Sequence, residues 1–173
     1  MPRYAAFLRG INVGGTRISK DDLCAPFSAL GFEDVTTFRA SGNVIFDAPR
    51  EPATKLAKKI EQALASELGF TKATTFIRSA AEMRALAKDD PFPREADQKL
   101  HVFFCLKKPP AKVLKLATDN DQLKIGKKEL YWAPEGRMLE SELDLKAVDK
   151  LIGPNTMRTK GTVDQITERW FGT

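Results

Sequence analysis

The order of strand-like and helix-like segments over the first 78 residues constrains the fold more than any other feature of this sequence. β-branched, aromatic and apolar runs predict strands at residues 4–9, 35–40, 43–48 and 73–78, and helical periodicity predicts helices over residues 19–30 and 51–68. Ser19 and Asp22 form an acidic variant of the capping box, and Gly31 and Gly69 follow the two helices as stop signals. This β-α-β-β-α-β order is that of a ferredoxin-like α+β sandwich, in which two helices cover one face of an antiparallel sheet.

A second set of similar segments follows a break in the chain. Ser79 and Glu82 form another capping box, for a helix ending near Lys88, and residues 89–93 interrupt the pattern. Strands are then predicted at residues 99–106, 122–125 and 129–133, and helices at 110–118, 143–152 and 162–171. We therefore expect an N-terminal plait over residues 1–90 and a partial β-α-β-β-α plait with terminal helices over residues 91–173.

Counts of single residue types exclude several classes of protein. His101 is the one histidine, so a His-rich zinc site is impossible, and its place in a strand favours a structural role on a half-exposed face over a catalytic one. Cys24 and Cys105 lack C-x-x-C spacing and read as small core residues. No apolar run approaches the roughly 20 residues of a membrane span. With no signal-peptide pattern, we expect a cytoplasmic protein without a membrane partner, metal or cofactor.

The net charge of +5, from 28 Lys and Arg against 23 Asp and Glu, is unevenly distributed. Residues 99–133 are rich in lysine. Such a stretch could meet nucleic-acid phosphates, although it is more often a solvated face that keeps a small protein in solution.

A glycine-rich loop follows the first predicted strand. It holds three glycines, an amide and two guanidinium groups: Arg9, Gly10, Asn12, Gly14, Gly15 and Arg17. Backbone N–H groups of such a loop can form an anion-binding nest. The loop is neither a Walker A motif, because Thr16 and Arg17 replace its Lys-Ser/Thr pair, nor a G-x-G-x-x-G fingerprint. A wide β-to-α turn that requires glycine at positive φ is the alternative reading.

Topology brings a second set of polar residues toward this loop. In the predicted fold the first and second strands run in the same direction, so the loop and the hairpin between strands two and three share one sheet edge. The hairpin carries Arg39, Ser41 and Asn43, whose side chains can donate hydrogen bonds to an anion. The alternative is that Ser41 and Asn43 are present only because they favour the geometry of the turn. Ser41 and Asn43 stand where an RNA-recognition motif has its stacking aromatics, which argues against an ordinary motif of that kind.

Several motifs occur in an order that resembles a known bacterial family, called domain of unknown function 1697. They are Leu8-Arg9-Gly10-Ile11-Asn12-Val13-Gly14-Gly15, Ser41-Gly42-Asn43-Val44, Phe76-Ile77-Arg78-Ser79, Asp90-Pro91-Phe92 and Thr156-Met157-Arg158. The resemblance covers nearly the whole chain and implies two ferredoxin-like subdomains, with no established activity.

The chain departs from this family pattern at two places. Thr159-Lys160-Gly161-Thr162-Val163 stands where the family shows Asn-Trp-Asn-Thr-Val, and Ser141-Glu142-Leu143 stands where it shows Ser-Lys-Leu. Arg158 and Lys160 keep the first of these regions basic, so we include Arg158 among the candidate ligand-binding residues.

Three functions stay open on this evidence. The first is a binding module whose loop and hairpin receive an anion: a nucleotide, a nucleic-acid phosphate or a carboxylate. The second is a small cofactor-independent enzyme in which the same donors stabilise an oxyanion or phosphate, its catalytic residues unidentified. The third is a protein-interaction scaffold. The predicted ligand-binding residues are Arg9, Asn12, Gly14, Gly15, Arg17, Arg39, Ser41, Asn43 and Arg158.

Overall fold

The computed structural model describes residues 1–11, 18–39, 42–92 and 99–172. The chain divides into two compact units. The first unit comprises Met1–Ala85 together with Ile166–Thr173, and the second unit comprises Leu86–Gln165. This division falls slightly before the predicted one at residue 90, and the C-terminal residues group with the first unit.

The first unit contains a four-stranded antiparallel sheet and two helices in the predicted order. Its elements are β1 (Arg3–Arg9), α1 (Lys20–Ala29), β2 (Glu33–Thr37), β3 (Asn43–Asp47), α2 (Ala53–Leu68) and β4 (Thr74–Ser79). The strand order across the sheet is β2-β3-β1-β4, with every neighbouring pair antiparallel. Since β1 and β2 both run antiparallel to β3, they are parallel to each other, and their carboxyl ends meet at one edge.

Helices α1 and α2 pack on one face of this sheet because their apolar residues repeat at helical spacing. The buried residues of α2 include Leu56, Ile60 and Leu64, four positions apart, and they join Phe27 of α1 and Phe46 of β3 in one core. Ser19 caps α1, since its hydroxyl oxygen accepts a hydrogen bond from the Asp22 N–H, as predicted.

The second unit contains another four-stranded antiparallel sheet. Its elements are β5 (His101–Cys105), a 3₁₀ helix (Ala111–Leu116), β6 (Asp121–Ile125), β7 (Glu129–Pro134), a short 3₁₀ turn (Met138–Glu140), α4 (Leu145–Ile152) and β8 (Asn155–Thr159). The strand order is β6-β7-β5-β8. Phe103, Leu130 and Trp132 of the sheet and Val148 and Ile152 of α4 form its core.

Two elements of the second unit differ from the prediction. Strand β8 was not predicted, because only Met157 of its five residues packs against the core and the remainder is polar or half-buried. It pairs antiparallel with β5 and completes the sheet. The segment predicted as a helix over residues 110–118 is a 3₁₀ helix over Ala111–Leu116, and Val113 is its one buried residue.

Helical segments follow the last strand of each unit. Helix α3 (Ala80–Lys88) begins with the predicted capping box, in which the Ser79 hydroxyl accepts from the Glu82 N–H and the Glu82 carboxylate accepts from the Ser79 N–H. Helix α5 (Lys160–Ile166) leads into a π-helix (Thr167–Phe171). None of the helices in the described part of the chain is long and apolar enough to span a bilayer.

Candidate functional site

The end of β1 and the β2–β3 hairpin lie side by side at the predicted sheet edge. The Leu8 N–H donates to the Gly42 carbonyl oxygen over 2.8 Å. Gly42 has φ of +78°, and a Cβ placed there would lie 3.1 Å from both the Leu8 carbonyl oxygen and the Ile11 Cδ1. The approach of the hairpin to β1 therefore requires glycine at this position.

Asn43 and Arg39 have different roles in the hairpin. Asn43 is 1% exposed and its side-chain amide donates to the Phe38 carbonyl oxygen over 3.0 Å, so this amide braces the turn. Arg39 is exposed and adopts φ of +57°, with its guanidinium carbon 5.1 Å from the centre of the Phe38 ring. Arg39 thus carries the exposed charge of the hairpin.

A cleft of about 290 Å³ opens where α1 begins. We call it the α1 cleft. Its lining residues are Ile18, Ser19, Lys20, Leu23, Thr37 and Arg39. Two of these described residues are cations and none is a carboxylate. The N-terminus of a helix carries a partial positive charge and unpaired N–H groups, and here the first turn of α1 also carries the carboxylates of Asp21 and Asp22.

The α1 cleft brings together only part of the predicted site. Arg39 lines it. Arg9 ends β1 at the same sheet edge, but its neighbour Leu8 lies in the core beneath the helices, so alternation places Arg9 on the other face of the sheet. Asn12, Gly14, Gly15, Arg17 and Ser41 lie outside the described residues, and their part in ligand binding stays a prediction.

Arg158 belongs to the second unit. Its guanidinium donates to the Thr156 hydroxyl over 2.8 Å and to the Met157 carbonyl oxygen over 2.9 Å. Burial lowers the pKa of Arg158 to about 10. Its membership of a ligand site stays a prediction.

A larger opening in the second unit was not predicted. This opening of about 660 Å³, which we call the His101 cavity, is lined by Lys99, His101, Glu135, Gly136, Arg137, Met138, Glu140 and Thr159. The expectation that His101 lies on a half-exposed face was wrong: His101 is 6% exposed. Every residue of β5 is buried, and His101 is its one strongly polar residue. The sequence signal for its burial was its position two residues before Phe103, which places both side chains on the same face of the strand.

A buried hydrogen-bond network supports the wall of this cavity. Asp121 is fully buried, and its carboxylate accepts from the Trp132 indole N–H at 2.8 Å, the Ser141 hydroxyl at 2.6 Å and the Thr118 hydroxyl at 2.6 Å. Burial alone would raise the pKa of Asp121, but the three hydrogen bonds outweigh it and the pKa is lowered. The Trp132 ring in turn lies 5.0 Å from the His101 ring.

Neither opening has the composition of a metal centre. No group of three or more His, Cys, Asp or Glu side chains within residues 1–11, 18–39, 42–92 and 99–172 could hold a metal ion.

Comparisons with known proteins identify a family and a fold. The family described as "Protein of unknown function (DUF1697)" matches residues 1–131. No curated protein matches the chain. Among solved structures, this chain is similar to the conserved bacterial protein SP0830 from Streptococcus pneumoniae, with a TM-score of 0.76, 24% sequence identity and 97% of each chain covered. At that identity the likeness concerns the fold alone.

Proposed function

This chain belongs to the DUF1697 family of proteins of unknown function, and we propose that it is a binding protein that holds a small anion in the α1 cleft. The observation that carries the proposal is the lining of that cleft: two cations, Lys20 and Arg39, and no carboxylate among its described residues. A guanidinium and an ammonium group are the side chains that best recognise phosphate and carboxylate.

Backbone donors add to these charges. In the first turn of α1, the Leu23 N–H donates to the Ser19 carbonyl oxygen, and the Asp22 N–H donates to the Ser19 hydroxyl oxygen. The N–H groups of Lys20 and Asp21 have no acceptor among the residues that the structure describes. Two oriented N–H donors therefore remain for a ligand oxygen.

The size and surroundings of the cleft favour a small ligand. Its volume of about 290 Å³ is just below the range of small-molecule sites, which span roughly 300–1,000 Å³. Asp21 and Asp22 lie in the first turn of α1, and these two carboxylates disfavour a ligand with many negative charges more than a ligand with a single anionic group. We therefore favour a single phosphate or carboxylate group over a nucleic-acid backbone.

The alternative functions have less support. An enzyme would need a general base or nucleophile in the cleft, yet the described lining contains no His, Cys, Asp or Glu, and the Ser19 hydroxyl serves as the helix cap.

The element order and the strand order β2-β3-β1-β4 support the further proposal that the first unit is a ferredoxin-like plait, with β6-β7-β5-β8 as its counterpart. In that fold the α1 cleft lies at the carboxyl ends of two parallel strands.

Calorimetric titration with inorganic phosphate, citrate and a nucleoside monophosphate tests the proposal. Arg39→Gln removes a charge-assisted hydrogen bond worth about 1.5–3 kcal/mol, so binding should weaken by roughly 10- to 100-fold. Arg50→Gln, which removes the same charge from an exposed site outside the cleft, should leave affinity unchanged. Arg9→Gln in the same assay tests whether Arg9 joins the site. Absence of binding by every anion, or equal loss in the Arg50 variant, would contradict the proposal and favour a scaffold.

A further inference from the structure

We propose that the His101 cavity is a second, independent ligand site and that it takes a small zwitterion of the α-amino acid or dipeptide class. Its volume of about 660 Å³ lies inside the usual range for small-molecule sites, about 300–1,000 Å³. The proposal rests on the second unit alone and does not depend on the α1 cleft.

The charges around the cavity are balanced. Lys99 and Arg137 are cations, and Glu135 and Glu140 are carboxylates; all four are exposed at the rim. None of the four makes an ion pair within 4 Å with another residue in the described part of the chain. Unpaired cations and carboxylates around one opening are complementary to a molecule that carries both an acidic and an amino group.

His101 supplies an uncharged polar group to the same cavity. It is 6% exposed, and its imidazole makes no hydrogen bond to any residue that the structure describes. His101 is not among the described residues that have a fully buried side-chain nitrogen or oxygen atom without a partner, so the polar edge of its imidazole faces the open cavity, where a polar group of a ligand can bond it. Burial and the nearby Lys99 both lower the pKa of His101, which keeps the ring neutral and able to donate and accept.

The cavity is built on fixed elements. His101 of β5 pairs with Thr159 of β8, and both line the cavity. On its other side His101 pairs with Trp132 of β7, whose buried ring packs against the imidazole. The turn that carries the rim charges is held at both ends, by the Glu135 N–H bonded to the Asn120 carbonyl oxygen and by the Ser141 hydroxyl bonded to Asp121. A preorganised site of this kind loses less free energy on binding than a mobile one.

We infer how the parts divide the ligand. The acidic group of the zwitterion would pair with the rim cations Lys99 and Arg137, its ammonium group with the rim carboxylates Glu135 and Glu140, and its uncharged polar part with His101. Met138, which is 37% exposed in the rim, supplies apolar contact.

The test uses nuclear magnetic resonance of the whole chain, in which His101 gives the one histidine signal. The probes are glycine, glutamine and glycylglycine, with propionate and propylamine as matched half-ligands. The proposal expects a saturable shift of the imidazole signal with a zwitterion and at least tenfold weaker binding of both half-ligands. If propionate binds as tightly as the zwitterions, the cavity is a site for a simple anion and the zwitterion proposal fails. If the imidazole signal stays in place with every probe, the cavity is not a ligand site.

Two variants with matched controls separate recognition from folding. Lys99→Met and Glu140→Gln should each weaken the zwitterion at least tenfold, because each removes the charge that faces one end of the ligand. Lys127→Met and Glu142→Gln change the same residue types at exposed positions outside the cavity and should leave affinity unchanged. If the control variants weaken binding as much as the cavity variants, or the cavity variants leave it unaltered, the assignment fails. Arg39→Gln should not affect this titration, which keeps the two sites distinguishable.

Discussion

Removal of the Asp121 carboxylate should destabilise the second unit strongly. In Asp121→Ala the Trp132 indole N–H and the hydroxyls of Ser141 and Thr118 lose their common acceptor. Each hydrogen bond to a charged group contributes about 1.5–3 kcal/mol, and part of their sum is offset because the alanine variant no longer buries a carboxylate. Disruption of a buried charged network of this kind typically costs about 3–5 kcal/mol, and we expect that loss here.

Asp121→Asn should cost less, about 1–2 kcal/mol. Its amide oxygen can still accept from Trp132 and Ser141, and its amide nitrogen can donate to the Thr118 hydroxyl. Asp119→Ala, which removes a neighbouring exposed carboxylate, serves as the control and should change stability by less than about 0.5 kcal/mol.

Urea unfolding followed by tryptophan fluorescence measures these changes. The chain has two tryptophans, Trp132 in the second unit and Trp170 in the first, so a Trp170→Phe background reports the second unit alone. With a slope of about 2 kcal/mol per molar urea, the midpoint of Asp121→Ala should fall by roughly 2 M. A midpoint within about 0.3 M of the parent would refute the argument that the Asp121 network stabilises the second unit.

Three further predictions follow from particular contacts. Burial lowers the folded-state pKa of His101 below its ordinary 6.5, so the unfolded chain binds the proton more readily. The free energy of unfolding of the second unit should therefore fall as pH drops through 6.5. Urea titrations at pH 5.5 and 7.5 measure this dependence, which His101→Gln should remove. Gly42→Ala should lower the free energy of unfolding by about 2–4 kcal/mol, because it combines positive-φ strain with overpacking. Gly136 also has a positive φ, +91°, but its nearest neighbour is 3.9 Å away, so Gly136→Ala should lower it by about 1 kcal/mol. Thermal unfolding measures both changes. Ser79→Ala should lower the free energy of unfolding by about 1 kcal/mol, measured as a lower thermal midpoint in circular dichroism. An unaltered midpoint would mean that the capping box contributes nothing.

Features fixed by short-range physics were predictable from the sequence. The caps at Ser19 and Ser79 depend on residues three positions apart, and the helix end at Gly69 depends on one residue that reaches φ of +75° without strain. The hairpin beside β1 also followed, because antiparallel pairing and chain order determine which ends of the strands meet.

Features that depend on long-range pairing were not predictable in the same way. Strand β8 has little apolar signal of its own and exists because β5 offers it an unpaired edge. The His101 cavity is assembled from residues that are distant in sequence, and the row of Trp132, His101 and Thr159 appears only once the registers of β7, β5 and β8 are known. The Asn43 amide is a different case, because its bond to the Phe38 carbonyl oxygen spans only five residues within the turn; its part in ligand binding stays a prediction.

The most direct test of anion binding at the α1 cleft is a phosphate titration of the ¹⁵N-labelled protein, followed at the backbone N–H signals of Lys20 and Asp21. The α1 cleft predicts that both signals move and saturate with one dissociation constant, and that Arg39→Gln weakens this constant by roughly 10- to 100-fold. If phosphate, citrate and a nucleoside monophosphate all leave the two signals in place, or if the signals move unchanged in the Arg39 variant, the α1 cleft is not an anion site.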